Sequence, residues 1–349
     1  MPDSQVLDDA YERLHATGPE FEGWLSNHGP MAADAMARLG HGGRVSSWLD
    51  GYERRLDARP GERWPIDPRD WREYLGDPSR LGDWIALFER AVREEPWRSV
   101  LIRWWPRLVP GAVASATHGM IRTGHAVRSL REQITGPRLD ELAQALGYWA
   151  ARWQTVPRHG PLGGAARWDT AMDGLPRLDA DGGIRTKLSR LGQEPSWPSA
   201  VEAAAVPASA EDVPAALEAL TDTAVVRYLT WARGNPVMLV HAATAPRAAG
   251  LVLPELPKDL WQDTLGHAWA ASAALCAVFR PAEAAAEFEP CTDTGLTPSE
   301  LSEMAVSNGD EHVIKFVEVA IESDARGVRG ALEAGRTAVH LIAGGSDAP

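Results

Sequence analysis

Helical spacing is the feature that most constrains this chain. Apolar residues recur at three- and four-residue intervals almost from end to end, while alternating strand patterns are scarce. Residues 5–16 read as a short helix. Residues 30–39 read as another, with Pro30 at its first position and Gly40 just past its end. The pattern continues over 81–95, over 97–108 (ended by Pro110), over 113–134 (closed by Gly136-Pro137) and over 139–154. It resumes at 211–233, 236–252, 258–279, 298–306, 311–323 and 325–341. Between these blocks, residues 155–210 are broken by repeated glycine and proline, from Pro157 and Gly160 to Pro198 and Pro207. That is long for a linker, so a structured insertion or lid is expected there. No repeat of fixed period stands out, which disfavours a solenoid. The expected fold class is all-α: one large helical domain over 1–349, with a Gly/Pro-rich insertion or lid around 155–210.

Charge narrows the partners. The 349 residues carry a net charge of −13, the wrong sign for a general nucleic-acid binder or an anionic membrane surface. A small uncharged substrate is compatible with it, as is a homodimer. The chain begins with an acidic segment that lacks the apolar core of a secretory signal. Its longest mostly apolar run, 268–279, fits a buried helix and is too short to span a membrane. Two cysteines, Cys276 and Cys291, argue against a disulfide framework or a thiolate zinc site. A cytoplasmic protein with no nucleic-acid or membrane partner is expected. Tryptophan is abundant, 15 against 5 Phe and 5 Tyr. Trp97, Trp104 and Trp105 suit amphipathic core edges, or alternatively a flat-sided pocket for a planar aromatic ligand.

Candidate chemistry rests on histidines. His28 lies between Asn27 and Gly29-Pro30 at a helix entry, where Asn27 can cap and Gly29 allows close backbone approach. This suits a rigidly held ligand or a simple capping turn. His118 and His125 are seven apart, on one helical face but about 10 Å from each other, too far to share one ion easily. Gly119 and Gly124 beside them each cost about 1 kcal/mol in a helix, which points to close packing or ligand access. His241 sits in the apolar stretch Val240-His241-Ala242-Ala243, where each ring nitrogen needs a partner. His267 has a similar but weaker setting. His15, His41, His159 and His340 read as surface residues. His312 and Lys315, three apart, share a helical face, and Val313, Ile314 and Phe316 surround the lysine. Burial would lower its pKa. A neutral lysine can serve as a base, or add CO2 to form a metal-binding carbamate; alternatively Lys315 pairs with Glu311, Glu318 or Glu322. A dinucleotide fingerprint, a P-loop, Gly-x-Ser-x-Gly and His-Glu-x-x-His are all missing.

Taken together, Ser26-Asn27-His28-Gly29-Pro30-Met31, His118-Gly119-Met120-Ile121-Arg122, Val240-His241-Ala242-Ala243-Thr244-Ala245 and Asp310-Glu311-His312-Val313-Ile314-Lys315-Phe316 resemble the questin oxidase family in order and wide spacing. The first and last motifs are the more specific, and the chain is shorter than the fungal members, mostly in loops. The resemblance implies oxidative ring opening of anthraquinone-like aromatic polyketides at a non-haem Fe(II) centre, with O2 as co-substrate. It implies His28, His118, His241, His312 and a carboxylated Lys315 as metal ligands, with Lys315 also counted among the catalytic groups and His125 in a supporting catalytic role. A Baeyer–Villiger-type oxidase using NADPH is the alternative within the same substrate class, though the missing Rossmann fingerprint weakens it. A non-catalytic polyketide-binding helical protein is the third reading.

Overall fold

A computed structural model describes residues 3–179, 181–284 and 295–342, which leaves Cys291 outside the described residues. Helix accounts for 69% of the structure, so the all-α expectation holds. The chain forms two compact units, residues 1–155 with 251–260, and residues 156–250 with 261–349.

The first unit contains α1 (Asp3–His15), α2 (Gly29–Arg38), α3 (Val45–Tyr52), α4 (Trp71–Tyr74), α5 (Leu81–Glu94), α6 (Trp97–Leu108), α7 (His118–Glu132) and α8 (Gly136–Arg152). A small antiparallel sheet, in the order β2-β1-β3, joins Leu25–Ser26 (β2), Thr17–Phe21 (β1) and Leu56–Ala58 (β3). Strands of two to five residues offer too few positions for an alternating pattern, so this sheet was not foreseen. The tryptophans of α5 and α6 build core. Trp104 meets Trp84 edge-on at 5.7 Å and Phe88 at 4.8 Å, and Trp97, Trp104 and Trp105 are all buried. These rings stabilise by area and edge-to-face geometry, and Trp104 also lines a cavity of about 350 Å³ with Ile66, Leu87 and Arg107. The helix expected over 113–134 begins only at His118, because Ser115, Ala116 and Thr117 adopt φ of 46°, 56° and 72°.

The second unit contains α9 (Trp168–Asp173), α10 (Ile184–Arg190), α11 (Trp197–Glu202), α12 (Val213–Trp231), α13 (Pro236–Leu239), α14 (His241–Val252) up to Gly250, α15 (Trp261–Phe279), α16 (Pro298–Asn308), α17 (Glu311–Ala325) and α18 (Ala331–Leu341). Every residue of α15 from Ala268 to Phe279 is buried, as the apolar run predicts. The Gly/Pro-rich stretch supplies α9 to α11 and is bonded onto α15: Leu178 donates its N–H to Ala277 O at 2.8 Å, and Trp269 Nε1–H donates to Val201 O at 2.8 Å. The helix expected over 236–252 breaks at Val240 and restarts at His241. Pro236–Glu255 is long and apolar enough to cross a membrane, but 72% of its apolar window is buried inside the protein, as in a core helix.

Candidate metal centre

His28 is placed by a turn with no slack. Asn27 donates its backbone N–H to Pro19 O (2.8 Å) and its Nδ2–H to Gly18 O (3.0 Å), while its Oδ1 accepts the Gly29 N–H (2.9 Å). Asn27 is not itself the N-cap, a place that His28 takes, but its side chain accepts the first helical N–H and ties the turn to β1. His28 donates its own N–H to Tyr52 Oη at 2.6 Å. A Cβ on Gly29 would fall 2.7 Å from Leu14 Cδ2 and 3.0 Å from Asn27 Oδ1, so glycine here spares a shift of those side chains. His28 is buried and occupies the N-cap of α2.

His118 is the first residue of α7 and is also buried. Three consecutive left-handed non-glycine residues lead into it, a conformation that costs roughly 1–2 kcal/mol per residue. Strain of this kind persists where surrounding structure fixes it, and it gathers at functional sites. The turn brings Ser115 O onto His118 Nδ1. A Cβ on Gly119 would fall 2.4 Å from Trp149 Cγ, which accounts for that glycine as close packing of α7 on α8. The His118 ring stands edge-on to His28, with centroids 4.3 Å apart and planes at 85°.

His125 lies two turns further on, as its spacing requires. Its Nδ1 bonds Asp34 Oδ2 at 2.8 Å, and Arg128 pairs with the same carboxylate. Asp34 is fully buried. Burial alone would raise its pKa, but Arg128 first, then His125 and Arg38, hold it far below the ordinary carboxylate range. Sequence reasoning missed Asp34. Its signal was a lone charge in the run Met31-Ala32-Ala33-Asp34-Ala35-Met36-Ala37.

In the second unit, His241 opens α14 and is 1% exposed, its Nδ1 3.2 Å from Met238 O. The short α13 before it is capped by Asn235, whose Oδ1 accepts the Met238 N–H at 2.9 Å. His312 is the second residue of α17. The N-cap Asp310 accepts the backbone N–H of His312 (2.7 Å) and lies 3.2 Å from its Nδ1. Burial would raise the Asp310 carboxyl, but the His312 ring and the His312 and Val313 backbone N–H groups pull it below its ordinary value. The His241 and His312 rings meet edge-on at 5.3 Å.

Lys315 follows one turn after His312. It is 1% exposed, and Nζ has no hydrogen-bond partner among the described residues. Burial lowers its pKa from 10.5 to about 8, against the opposing pull of Glu311 and Asp310. Two of the carboxylates that could have paired with it are engaged elsewhere: Arg247 Nη2 bonds Glu318 at 3.0 Å and Glu322 at 2.5 Å.

A common logic runs through His118, His241 and His312. A carbonyl oxygen, or an ionised carboxylate, can only accept, so each Nδ1 carries a hydrogen, and in the neutral form of the ring Nε2 keeps its lone pair. That is how ligand histidines are usually oriented for a metal. His340 is exposed as expected, whereas His15, His41 and His159 are half-buried. His15, Glu89 and Asp140 also cluster, but Arg59 already bonds both His15 and Glu89, so this reads as an ion-pair network. No protein-family model matches the chain, and no curated protein does.

Proposed function

We propose that this chain is a non-haem iron-dependent oxygenase of the questin oxidase type, which opens a ring of an anthraquinone-like aromatic polyketide with O2. One observation carries the reading: each unit presents a pair of buried or half-buried histidines edge to face at helix starts, His28 with His118 at 4.3 Å and His241 with His312 at 5.3 Å. Neutral imidazoles suit ferrous iron, and the Nδ1 bonds of three of the rings leave their Nε2 atoms as donors to an ion. Iron, when bound, supplies the one-electron access to O2 that organic side chains lack.

Four imidazole rings bring no negative charge, and each stands at a helix start, an end that favours anions. A cation held there gains from an anionic companion. Lys315 could provide one: addition of CO2 to its neutral amine would give a carbamate and a proton, and the carbamate oxygens would help to hold the ion. Asp310 acts through His312 by holding its ring. His125, bonded to Asp34, has the supporting role of a held proton carrier. The NADPH-dependent alternative finds little support, because the described strands form only a short antiparallel sheet and offer no dinucleotide cradle.

The test is anaerobic loading with Fe(II), followed by metal analysis and O2 uptake with 1,8-dihydroxyanthraquinone and its hydroquinone. One iron per chain and iron-dependent O2 consumption are expected. Protein that holds zinc alone, or holds iron but consumes no O2 with either compound, would overturn the redox reading.

A further inference from the structure

The second unit holds a cavity of about 420 Å³ that no part of the histidine centre lines. Two other histidines face it. His159 lies in the turn before Gly160-Pro161, and His267 projects from α15. Their rings meet edge to face at 5.5 Å, with His159 Nε2 3.4 Å from His267 Nδ1.

The bonding fixes where the hydrogens sit. Val156 O, 2.8 Å from His159 Nδ1, can only accept, so that nitrogen carries a hydrogen. In a neutral His159 the Nε2 is then bare and can only accept. His267 therefore donates from Nδ1, and its own Nε2 keeps a lone pair. Burial, with His159 beside it, holds the His267 pKa down to about 4, so the ring is neutral at physiological pH. Leu162, Val206 and Pro207 give the cavity an apolar wall. Gln262 directs its amide N–H to Pro207 O at 3.4 Å, and Asp263 stands exposed at the rim. The polar character of the half-buried histidine pair is thus that of a hydrogen-bond acceptor.

We propose that this cavity binds a neutral phenol on a planar fused ring, with the hydroxyl donating to His267 Nε2 and the ring lying on Leu162, Val206 and Pro207. The volume suits a molecule of two or three rings. An anion is disfavoured because it would need donors that the His159–His267 chain has already committed. The site involves none of the proposed metal ligands, so it stands whether or not the iron reading does.

Titration at pH 8 with a chelator present tests it, using 2-naphthol, 2-methoxynaphthalene and naphthalene-2-sulfonate as probes. 2-Naphthol is expected to bind about tenfold more tightly than the other two, the factor one hydrogen bond supplies. His267→Phe should erase that preference while leaving 2-methoxynaphthalene affinity unchanged. Leu162→Trp, at a half-buried loop position, should abolish binding of all three by filling the space. Equal binding of 2-naphthol and 2-methoxynaphthalene, a preference that survives His267→Phe, binding undiminished by Leu162→Trp, or no binding of 2-naphthol would each overturn the proposal.

Discussion

His118 stands edge-on to His28, ring centroids 4.3 Å apart, although 90 residues of chain separate them. Each ring sits at a helix start, His28 at the N-cap of α2 and His118 at the first position of α7. His241 and His312 likewise occupy the first turns of α14 and α17. A helix start fixes the backbone while leaving the side chain outside the helical ladder, so the ring can turn toward its partners.

The first prediction concerns those four rings. Replacing His28, His118, His241 or His312 by alanine should lower Fe(II) affinity at least tenfold, whereas His125→Ala should leave the metal in place. Metal analysis after dialysis against a graded chelator series measures this. Full iron retention in His118→Ala or His241→Ala would remove those residues from the ligand set.

Part of this was legible in the sequence. Asn27-His28-Gly29-Pro30 announces a helix start, and the three-residue spacing of His312 and Lys315 announces their shared helical face. The start of α7 was not legible. Val113 to Thr117 carry ordinary helical composition, and nothing local reveals that Ser115, Ala116 and Thr117 are left-handed. The same segment carries the Ser115 carbonyl that meets His118 Nδ1, a contact no local pattern shows. The burial of Lys315 could be read from its apolar neighbours. That Glu318 and Glu322 are engaged by Arg247 could not, because the pairing is tertiary.

Lys315→Met should stabilise the metal-free protein. At pH 7 the native state keeps a buried ammonium without a hydrogen-bond partner among the described residues, with a pKa near 8 instead of 10.5. The cost is about 3 kcal/mol. Between pH 8 and 10.5 the unfolded chain still binds the proton while the native protein has released it, so wild-type stability rises with pH and the advantage of Met shrinks. Urea unfolding at pH 7 and pH 10 checks both signs. A variant no more stable than wild type at pH 7 would mean that the amine has a partner.

Gly119→Ala sets two effects against each other. Helix propensity favours alanine by about 1 kcal/mol. The new Cβ, 2.4 Å from Trp149 Cγ, forces α7 and α8 apart or turns a fully buried indole, at a cost of about 1–3 kcal/mol. A net loss is expected, together with weaker iron binding through the displaced His118. A higher melting temperature would show that the interface yields easily.

Asp34→Ala should be among the most damaging single changes in the first unit. It leaves Arg128, which is mostly buried, and His125 without their shared carboxylate. Removing one partner from a buried pair costs about 3–5 kcal/mol. Asp34→Asn keeps the size but not the charge and should recover little of that loss. If denaturation finds either variant within about 1 kcal/mol of wild type, the arginine has another acceptor.

His267 should give the protein an acid-side slope. Its pKa falls from 6.5 in the unfolded chain to about 4 in the native protein. Between those values the unfolded state binds a proton that the native state does not. Stability therefore falls as pH drops from 6.5 toward 4, by at most about 3 kcal/mol. His267→Phe removes the titrating group, so the difference between variant and wild type should grow over that interval and level off below pH 4. Parallel urea titrations at half-unit steps from pH 7 to pH 4 measure it. Curves that stay parallel would show that the imidazole takes up its proton without unfolding, which requires water or a carboxylate to reach the ring.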